Sequence, residues 1–349
     1  MNERRRVNER QRVTLKTVAD AAGVHASTVS RVLRRGTGRT GRPSDSDLRI
    51  VQIASDLGYV PNPNAASLTT RRSSAFGVLV PQLTDVVLSC VYDNIESTAN
   101  AAGYDAFVAN THDDPKVQAR RRQLLIGRSV DGLIIGDARL DDPTLPKLAG
   151  DGTVSVLVNR RYPGLLSVTC DDRRGGRLAA EHLLELGHTD VGVVTGPLWS
   201  STGADRLDGF RETYAERGIT IPDDAVAPVG FGVDDGVRGT LQILAQHPQI
   251  TALFVANDDA AIGAIGALRD SGLRPGTDVS LLGYNDIPAA RNLMLPLTTI
   301  RSPYPAMGRH ACEVLLAAMN GLPVSSLVLQ PELVVRGTTS HPHHRPTSR

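Results

Sequence analysis

Residues 13–33 read VTLKTVADAAGVHASTVSRVL, and this stretch determines how the N-terminal part of the chain folds. Apolar residues recur at the i, i+3, i+4, i+7 spacing that marks one face of a helix, namely Leu15, Val18, Ala19 and Ala22. Thr14 stands where an N-cap belongs, and Gly23 stands where a helix ends in the left-handed conformation. A second apolar face follows, formed by Val29, Val32 and Leu33. The pattern predicts two short helices around a tight turn.

The outward positions of the second helix carry small, polar and cationic side chains. They are Ala26, Ser27, Ser30, Arg31, Arg34 and Arg35. Such a face suits entry into a DNA major groove, where bases are read by hydrogen bonds. An ordinary helical hairpin would show the same periodicity, so periodicity alone leaves both readings open.

The residue pattern itself resembles the helix-turn-helix of the lactose-repressor/galactose-repressor family. In that family the first helix carries T-L-x-x-V-A and the second carries T-V-S-R-V-L, which appear here at residues 14–19 and 28–33. The resemblance covers residues 13–340. It implies DNA contacts by Thr14, Ala26, Ser27, Thr28, Ser30 and Arg31.

Composition indicates a globular protein of two or three folding units. The chain has 349 residues, of which 41% are apolar and 21% charged, and its apolar runs are too short to span a bilayer. The charged first dozen residues lack the apolar centre of a signal peptide, so we expect a cytoplasmic protein without membrane contact. Three isolated cysteines predict reduced thiols, and neither a metal site nor a cofactor is predicted.

Charge is distributed unevenly along the chain. Residues 1–75 hold 14 Lys and Arg against 6 Asp and Glu, a net charge of +8, whereas the remainder holds 24 against 31, a net charge of −7. The basic excess coincides with the predicted helix-turn-helix. It therefore indicates a polyanionic partner for this part alone.

We predict a flexible basic arm at residues 1–13 and a DNA-binding domain at residues 14–60. A third helix fits residues 44–57, with Ser44 as its cap, Gly58 as its stop and one apolar face formed by Ile50, Ile53, Ala54 and Leu57. This domain departs from the family pattern. The loop before the third helix is longer, His25 replaces a small N-cap residue, and Asp47 replaces a phosphate-contacting arginine, for which Arg39 and Arg42 could compensate.

Residues 61–75 contain two prolines and two asparagines and can form only about two helical turns. A plain interdomain linker is one interpretation. The resemblance instead implies a hinge helix that folds on the operator, with Asn64, Ala65 and Leu68 at the minor groove. Leu68 matches the family leucine that wedges between base pairs and kinks the DNA.

From residue 76 the pattern alternates short apolar strands with amphipathic helices, which is typical of doubly wound α/β lobes. Fully buried parallel strands are predicted in a first series, GVLVP, DAFVAN, DGLIIG and SVLVN. A second series of strands is predicted in VGVVTG, AVAPVG, ALFVAND and VSLLGYND. Residues 76–340 resemble the two-lobed periplasmic-binding-protein fold that serves the family as its effector-binding and dimerisation domain. Residues 341–349 form a polar tail without leucine heptads.

Ligands of open α/β sheets bind beyond the carboxyl ends of the strands. By resemblance, Arg206 and Asp258 hydrogen-bond an effector, and the cleft is lined by Asn159, Phe231 and Tyr304. Trp199 lies in a loop at the same end but matches no known role. Asp258 could instead be a helix cap, Arg206 a solvated residue, and the two aromatics core residues. This mixture suits a sugar, although a nucleoside or another small polar metabolite fits the same chemistry.

Together these features predict a homodimeric transcriptional repressor that binds a palindromic operator in double-stranded DNA under control of a small polar effector. A periplasmic-type carrier without DNA function is the main alternative, and the basic N-terminal part argues against it. A sugar-active enzyme is a third possibility, but the chain carries no nucleophile elbow or Walker motif.

Overall fold

The computed structural model describes residues 13–35, 44–59, 72–149 and 152–343, and the chain divides into two compact units at residue 73. Several predictions from the sequence lie outside the described residues. They concern the basic arm up to residue 12, the arginines of the long loop, the final residues of the tail, and the hinge contacts Asn64, Ala65 and Leu68.

The first unit is a three-helix cluster with α1 at Leu15–Ala22, α2 at Ala26–Arg35 and α3 at Asp45–Asp56. The Thr14 side chain accepts the Thr17 N–H at 3.3 Å, and Gly23 ends α1 at φ +67°. The core consists of the residues expected from the periodicity, among them Val18, Val29, Val32 and Ile50. The helix-turn-helix prediction is thereby confirmed at the level of local structure.

The third helix ends at Asp56, one residue before the last member of the apolar face predicted for it. Leu57 is its C-cap and is 38% exposed, so its assignment to the core is wrong. Gly58 adopts φ +65°, the chain turns back, and the Tyr59 N–H donates to the Ala54 carbonyl at 2.9 Å. Tyr59 packs against the core where the sequence suggested Leu57, because the left-handed turn redirects the chain.

Two of the three departures from the family pattern, Asp47 and His25, take part in helix capping. Asp47 completes a capping box, since its Oδ2 accepts the Ser44 N–H at 3.2 Å while the Ser44 hydroxyl accepts the Asp47 N–H. His25 precedes α2, and its Nδ1 accepts the Ser27 N–H at 3.3 Å. A ring nitrogen therefore accepts the hydrogen bond from a first-turn N–H that a small polar side chain usually accepts at an N-cap.

The second unit contains two lobes, and lobe 1 is built on a parallel sheet in the order β11-β5-β4-β3-β1-β2. Its strands are β1 Ala75–Val80, β2 Asp105–Asn110, β3 Gly132–Ile135, β4 Ser155–Val158, β5 Ser167–Cys170 and β11 Leu327–Leu329. Its helices are α4 Val86–Ala101, α5 Pro115–Gly127 and α11 Tyr304–Met319. Helices α4 and α11 cover one face of the sheet, and α5 covers the other.

Lobe 2 carries a sheet in the order β12-β10-β9-β8-β6-β7, in which only β12 pairs antiparallel. Its strands are β6 Val191–Thr195, β7 Val226–Pro228, β8 Ala252–Val255, β9 Ser280–Asn285, β10 Thr298–Arg301 and β12 Glu332–Val334. Its helices are α6 Asp172–Glu185, α7 Ser201–Glu216, α8 Val233–Gln246, α9 Asp258–Asp270 and the short α10 Pro288–Arg291. Helices α6 and α7 pack on one face, and α8 and α9 on the other.

The chain passes between the lobes three times: after β5, between β10 and α11, and between β11 and β12. Every predicted strand is present, but the short β5, β10, β11 and β12 that complete these connections were not predicted. The expectation that all strands of the first series are fully buried is wrong for β2. It lies at the sheet edge, where Phe107 is 55% exposed.

Candidate functional site

Helix α2 presents the face that the sequence predicted for DNA reading. Ser27 and Arg31 are exposed, whereas Val29 and Val32 are buried against α1 and α3. Thr14 is also exposed, but its hydroxyl is occupied as the cap of α1. Ala26, Thr28 and Ser30 are half-buried along the same helix. The helix is therefore anchored by its apolar side and open on its polar side.

A cavity of about 760 Å³ separates the two lobes of the second unit. Lobe 1 contributes residues after β1, β2 and β4, and lobe 2 contributes residues after β6, β7, β8 and β9. Every contributing segment follows the carboxyl end of a strand, which is where open α/β sheets bind ligands. Asn159, Arg206 and Phe231 line this cavity as the sequence predicted.

Two aromatic side chains from lobe 2 form part of the wall. The ring of Phe231 lies against Gly196, where any side chain would overlap it, so the glycine makes room for the aromatic face. Trp199 lies in the loop after β6 and also lines the cavity. The interior therefore combines apolar ring surface with polar groups, as small-molecule sites do.

Arg206 reaches the cavity from α7 but is almost fully buried. Its Nε donates to Asp172 Oδ1 and its Nη1 donates to the Ala256 carbonyl, both at 2.7 Å, and its guanidinium carbon lies 3.7 Å from the centre of the Tyr284 ring. Among the hydrogen bonds of the described residues, Nη2 makes none. Helix α6 can approach α7 this closely because a side chain at Gly176 would overlap the Arg206 carbonyl.

Asp258 and Tyr304 do not line the cavity, in contrast to the sequence expectation. Asp258 is fully buried, and its two oxygens accept the Thr299 hydroxyl at 2.7 Å and the Ile287 N–H at 2.9 Å. Burial raises the pKa of Asp258 to about 7. Tyr304 begins α11 and packs against the cores of both lobes. The position of Tyr304 favours the core role left open for it. Asp258, however, is not the helix cap considered as its alternative role, because Asn257 caps α9.

Carboxylates dominate the charged lining of the cavity. Asp85 caps α4 by accepting the Leu88 N–H at 3.0 Å, and burial raises its pKa. Burial also raises the pKa of Asp259 in α9, and the negative charge of Asp85 adds to the rise. Neither carboxylate has a cation partner among the ion pairs of the described residues.

The arginines of the lining, by contrast, are each paired with a carboxylate. Arg160 makes a bidentate pair with Asp113 at 2.6 and 2.9 Å, Arg206 pairs with Asp172, and Arg238 pairs with Asp235. A ligand would therefore meet arginines that are already paired, beside two carboxyl groups, Asp85 and Asp259, that make no ion pair within the described residues.

The sequence reasoning missed Asp85, Asp113, Asp259 and Asn285, which also line the cavity. Asp85 and Asp113 follow β1 and β2, so the rule that found Asn159 could have found them. Three lining residues adopt left-handed backbone angles, namely Asp113 at φ +53°, Asn159 at +64° and Asn285 at +111°. Such strained backbone concentrates at functional sites.

Among the described residues, no group of three His, Cys, Asp or Glu side chains is arranged to hold a metal ion. His182 and His188 instead fasten the C-terminal segment, through the Thr339 hydroxyl and the Ser340 carbonyl. No helix in the described ranges is both long and apolar enough to cross a membrane.

Comparison with known proteins extends these observations to the whole chain. Residues 14–62 match the family described as "Bacterial regulatory proteins, lacI family", and residues 180–339 match a "Periplasmic binding protein-like domain". The HTH-type transcriptional repressor PurR of Haemophilus influenzae (strain PittEE) is 32% identical over 330 residues, which cover 93% of this chain and 97% of that protein.

Two solved structures share the fold along nearly the full length. The lac repressor dimer bound to operator and the anti-inducer ONPF superposes with a TM-score of 0.84 at 29% identity, covering 94% of this chain and 99% of that one. The complex of the transcriptional regulator CelR with cellobiose gives a TM-score of 0.72 at 28% identity, covering 94% and 100%. With its helix-turn-helix, its two-lobed second unit and these matches, the chain belongs to the lacI family of bacterial regulatory proteins and is a DNA-binding transcriptional regulator.

Proposed function

We propose that this regulator is a repressor that binds a palindromic operator as a homodimer. The observation that carries this proposal is α2, which buries Val29 and Val32 and turns Ser27 and Arg31 outwards. A dimer with two-fold symmetry reads two such half-sites on one duplex. The lac repressor relative was solved as a dimer on its operator, which supports the same arrangement here.

The hinge contacts predicted from the sequence belong to this proposal. Leu68 acts as a wedge between base pairs, and Asn64 and Ala65 lie at the minor groove beside it. A wedge acts only on bent, specific DNA, whereas phosphate contacts are independent of sequence. Leu68→Ala should therefore weaken operator binding strongly and leave binding to random duplex nearly unchanged.

The interlobe cavity is proposed as the effector site, with Asn159, Arg206 and Phe231 among its contacts. Its size and its aromatic wall suit a small polar molecule such as a sugar, and the CelR relative was solved with cellobiose. Because the lining arginines are neutralised and Asp85 and Asp259 are not, we expect a neutral or amine-bearing effector rather than a phosphate ester. Asp258 and Tyr304 are not among the proposed contacts.

The effector would control DNA binding by a shift between two interlobe arrangements. A ligand that contacts both lobes binds one interlobe arrangement more tightly than the other. This difference in affinity determines how far it shifts the population towards the preferred arrangement. The same difference must appear as a change in operator affinity, since coupling between two binding sites is reciprocal. The protein has a regulatory role and no catalytic one, and it acts in the cytoplasm, where the chromosome is.

Two measurements on the full chain test these proposals. Selection from a random duplex library should yield a palindrome whose affinity falls steeply with salt, because several phosphates release counterions. Thermal-shift screening of neutral sugars, nucleosides, amino sugars and sugar phosphates should then identify a ligand that raises the melting temperature.

Two phenylalanine variants, one inside the interlobe cavity and one outside it, test where that ligand binds. Phe231→Ala should abolish the thermal shift and keep operator binding, whereas Phe107→Ala, on an exposed edge strand outside the cavity, should change neither. Equal loss in both variants, or an unchanged thermal shift in Phe231→Ala, would place the effector elsewhere. Recovery of no specific duplex would refute the repressor assignment.

A further inference from the structure

The loop between β6 and α7 carries Trp199, the single tryptophan of the chain. This loop belongs to lobe 2, yet it docks against two loops of lobe 1, those after β3 and after β4. The Leu140 N–H of lobe 1 donates to the Trp199 carbonyl at 2.9 Å. A backbone hydrogen bond between lobes fixes their separation at this point, because its length tolerates little change.

The indole ring is held as well as the backbone. The guanidinium carbon of Arg139 lies 3.8 Å from the ring centre, within the range of a cation–π contact. Arg139 is itself fixed by a bidentate pair with Asp141, with both distances 2.9 Å. Arg160 approaches the same ring at 5.3 Å and is fixed by Asp113. Two preoriented cations of lobe 1 thus face one aromatic ring of lobe 2.

Further contacts between the lobes continue into α7. The Arg161 guanidinium makes a bidentate pair with Asp205, at 2.8 and 2.6 Å, and the Arg161 N–H donates to the Ser201 hydroxyl at 2.9 Å. Asp205 and Ser201 are largely buried, whereas Arg161 is about half exposed. We name this set the interlobe clasp; it consists of Arg139, Leu140, Arg161, Trp199, Ser201 and Asp205.

The clasp lies between two cavities. Trp199 lines the large interlobe cavity, whereas Arg161, Ser201 and Asp205 line a smaller one of about 240 Å³ beside the first crossing of the chain between the lobes. A ligand in the large cavity therefore touches a residue whose other contacts are with the opposite lobe.

We propose that the interlobe clasp sets the equilibrium between the two interlobe arrangements, and that Trp199 is the positioning residue through which occupancy of the effector cavity changes it. This inference rests on the proposed function. The clasp contacts require one relative placement of the loops, so the clasp stabilises a single arrangement. Breaking it shifts the population, and operator affinity shifts with it.

Intrinsic fluorescence tests the clasp without DNA or effector, because all tryptophan emission comes from Trp199. Arg139→Gln should increase the acrylamide quenching constant by about twofold, since it removes the cation over the ring face. Arg161→Gln should also increase the constant, because the contacts act as one unit, although the Arg161 guanidinium pairs with Asp205 and not with the indole ring. Arg269→Gln, which breaks an exposed pair with Asp270 elsewhere on lobe 2, should leave the quenching unchanged.

Operator affinity distinguishes a coupling role from a merely structural one. On the selected palindrome, Arg139→Gln and Arg161→Gln should shift affinity in the same direction by about fivefold or more, which is the lower range of measured allosteric coupling. The double variant should shift it by less than the product of the single effects, because both act on one equilibrium. Melting temperatures of all variants verify that the second unit stays folded.

Unchanged operator affinity in both variants, with altered quenching, would overturn the proposal and leave the repressor assignment intact. Unchanged quenching in Arg139→Gln would show that the clasp does not form in solution and would overturn it too. Failure of the wild-type chain to bind any selected duplex would instead refute the proposed function, a result that the quenching measurement cannot produce.

Discussion

Arg206 Nε and Asp172 Oδ1 lie 2.7 Å apart at the junction of the lobes, and their side chains are only 3% and 4% exposed. The pair joins α7 to the start of α6, the first helix after the chain leaves lobe 1. Burial raises the pKa of Asp172, and the positive charge of Arg206 opposes the rise. The pair therefore orients Arg206 towards the cavity and keeps its charge compensated.

Removing one partner of this pair should be costly. Asp172→Asn leaves a buried guanidinium without its counter-charge, for which we expect a loss of about 3 kcal/mol in the free energy of unfolding. Urea titration followed by circular dichroism measures it. Asp270→Asn, which removes the partner of an exposed arginine, should have no measurable effect. Equal losses in the two variants would contradict the structural importance of the buried pair.

Two adjacent aspartates should behave in opposite ways. Asp258→Ala leaves the Ile287 N–H and the Thr299 hydroxyl without an acceptor, so we expect destabilisation by about 2–4 kcal/mol. Asp259→Ala should change stability little but should alter affinity for the effector, because Asp259 lines the cavity. Urea titration and calorimetry with the identified effector separate the two effects. Normal stability of Asp258→Ala together with lost effector binding would restore the sequence-based role of Asp258.

Arg31 should contribute to sequence discrimination. It is exposed on the polar face of α2, and a bidentate contact with a base edge is worth about 1–3 kcal/mol of discrimination. Arg31→Ala should therefore weaken binding to the operator more than binding to a random duplex. Arg49→Ala, on the exposed surface of α3, serves as the control and should weaken both equally or neither. Equal losses on both duplexes for Arg31→Ala would reduce its role to a phosphate contact.

Acid should loosen the C-terminal segment from lobe 2. Burial lowers the pKa of His182 and His188 below 6.5, so the unfolded chain takes up their protons first. Their contribution to stability is complete above pH 6.5 and is lost as the pH falls from there through the lower pKa values of the folded state. The free energy of unfolding can be measured between pH 5 and 7 for the wild type and for His188→Gln. It should depend less on pH in the variant than in the wild type.

Other groups titrate in the same window, so the difference between the two curves is the relevant quantity. Asp258 acts in the opposite sense: its folded pKa of about 7 exceeds the unfolded value of 3.8, so its contribution is lost as the pH rises between these values. His310→Gln, at a half-buried position paired with Glu313 in lobe 1, is the control. Identical pH dependence in the wild type and His188→Gln would exclude the proposed histidine effect.

The local structure of the chain was determined by the sequence to a large extent. Thr14 and Gly23 bracket α1, and Val29 and Val32 mark the buried side of α2, because capping and helical periodicity depend on residues only a few positions apart. The main strands of both lobes were predictable for the same reason. The exposed position of Leu57 was not predictable in this way. The left-handed turn at Gly58 redirects the chain, so that Tyr59 and not Leu57 packs against the core.

The cavity is a different case, because its walls come from loops more than a hundred residues apart. The rule for strand ends located Asn159 and the family resemblance located Phe231, but neither could separate Asp258 from Asp259. Only the tertiary structure decides which of two neighbouring carboxylates faces the cavity and which accepts the Ile287 N–H. The contact of Trp199 with Arg139 likewise depends on the placement of two lobes, because the residues that form it share no local pattern.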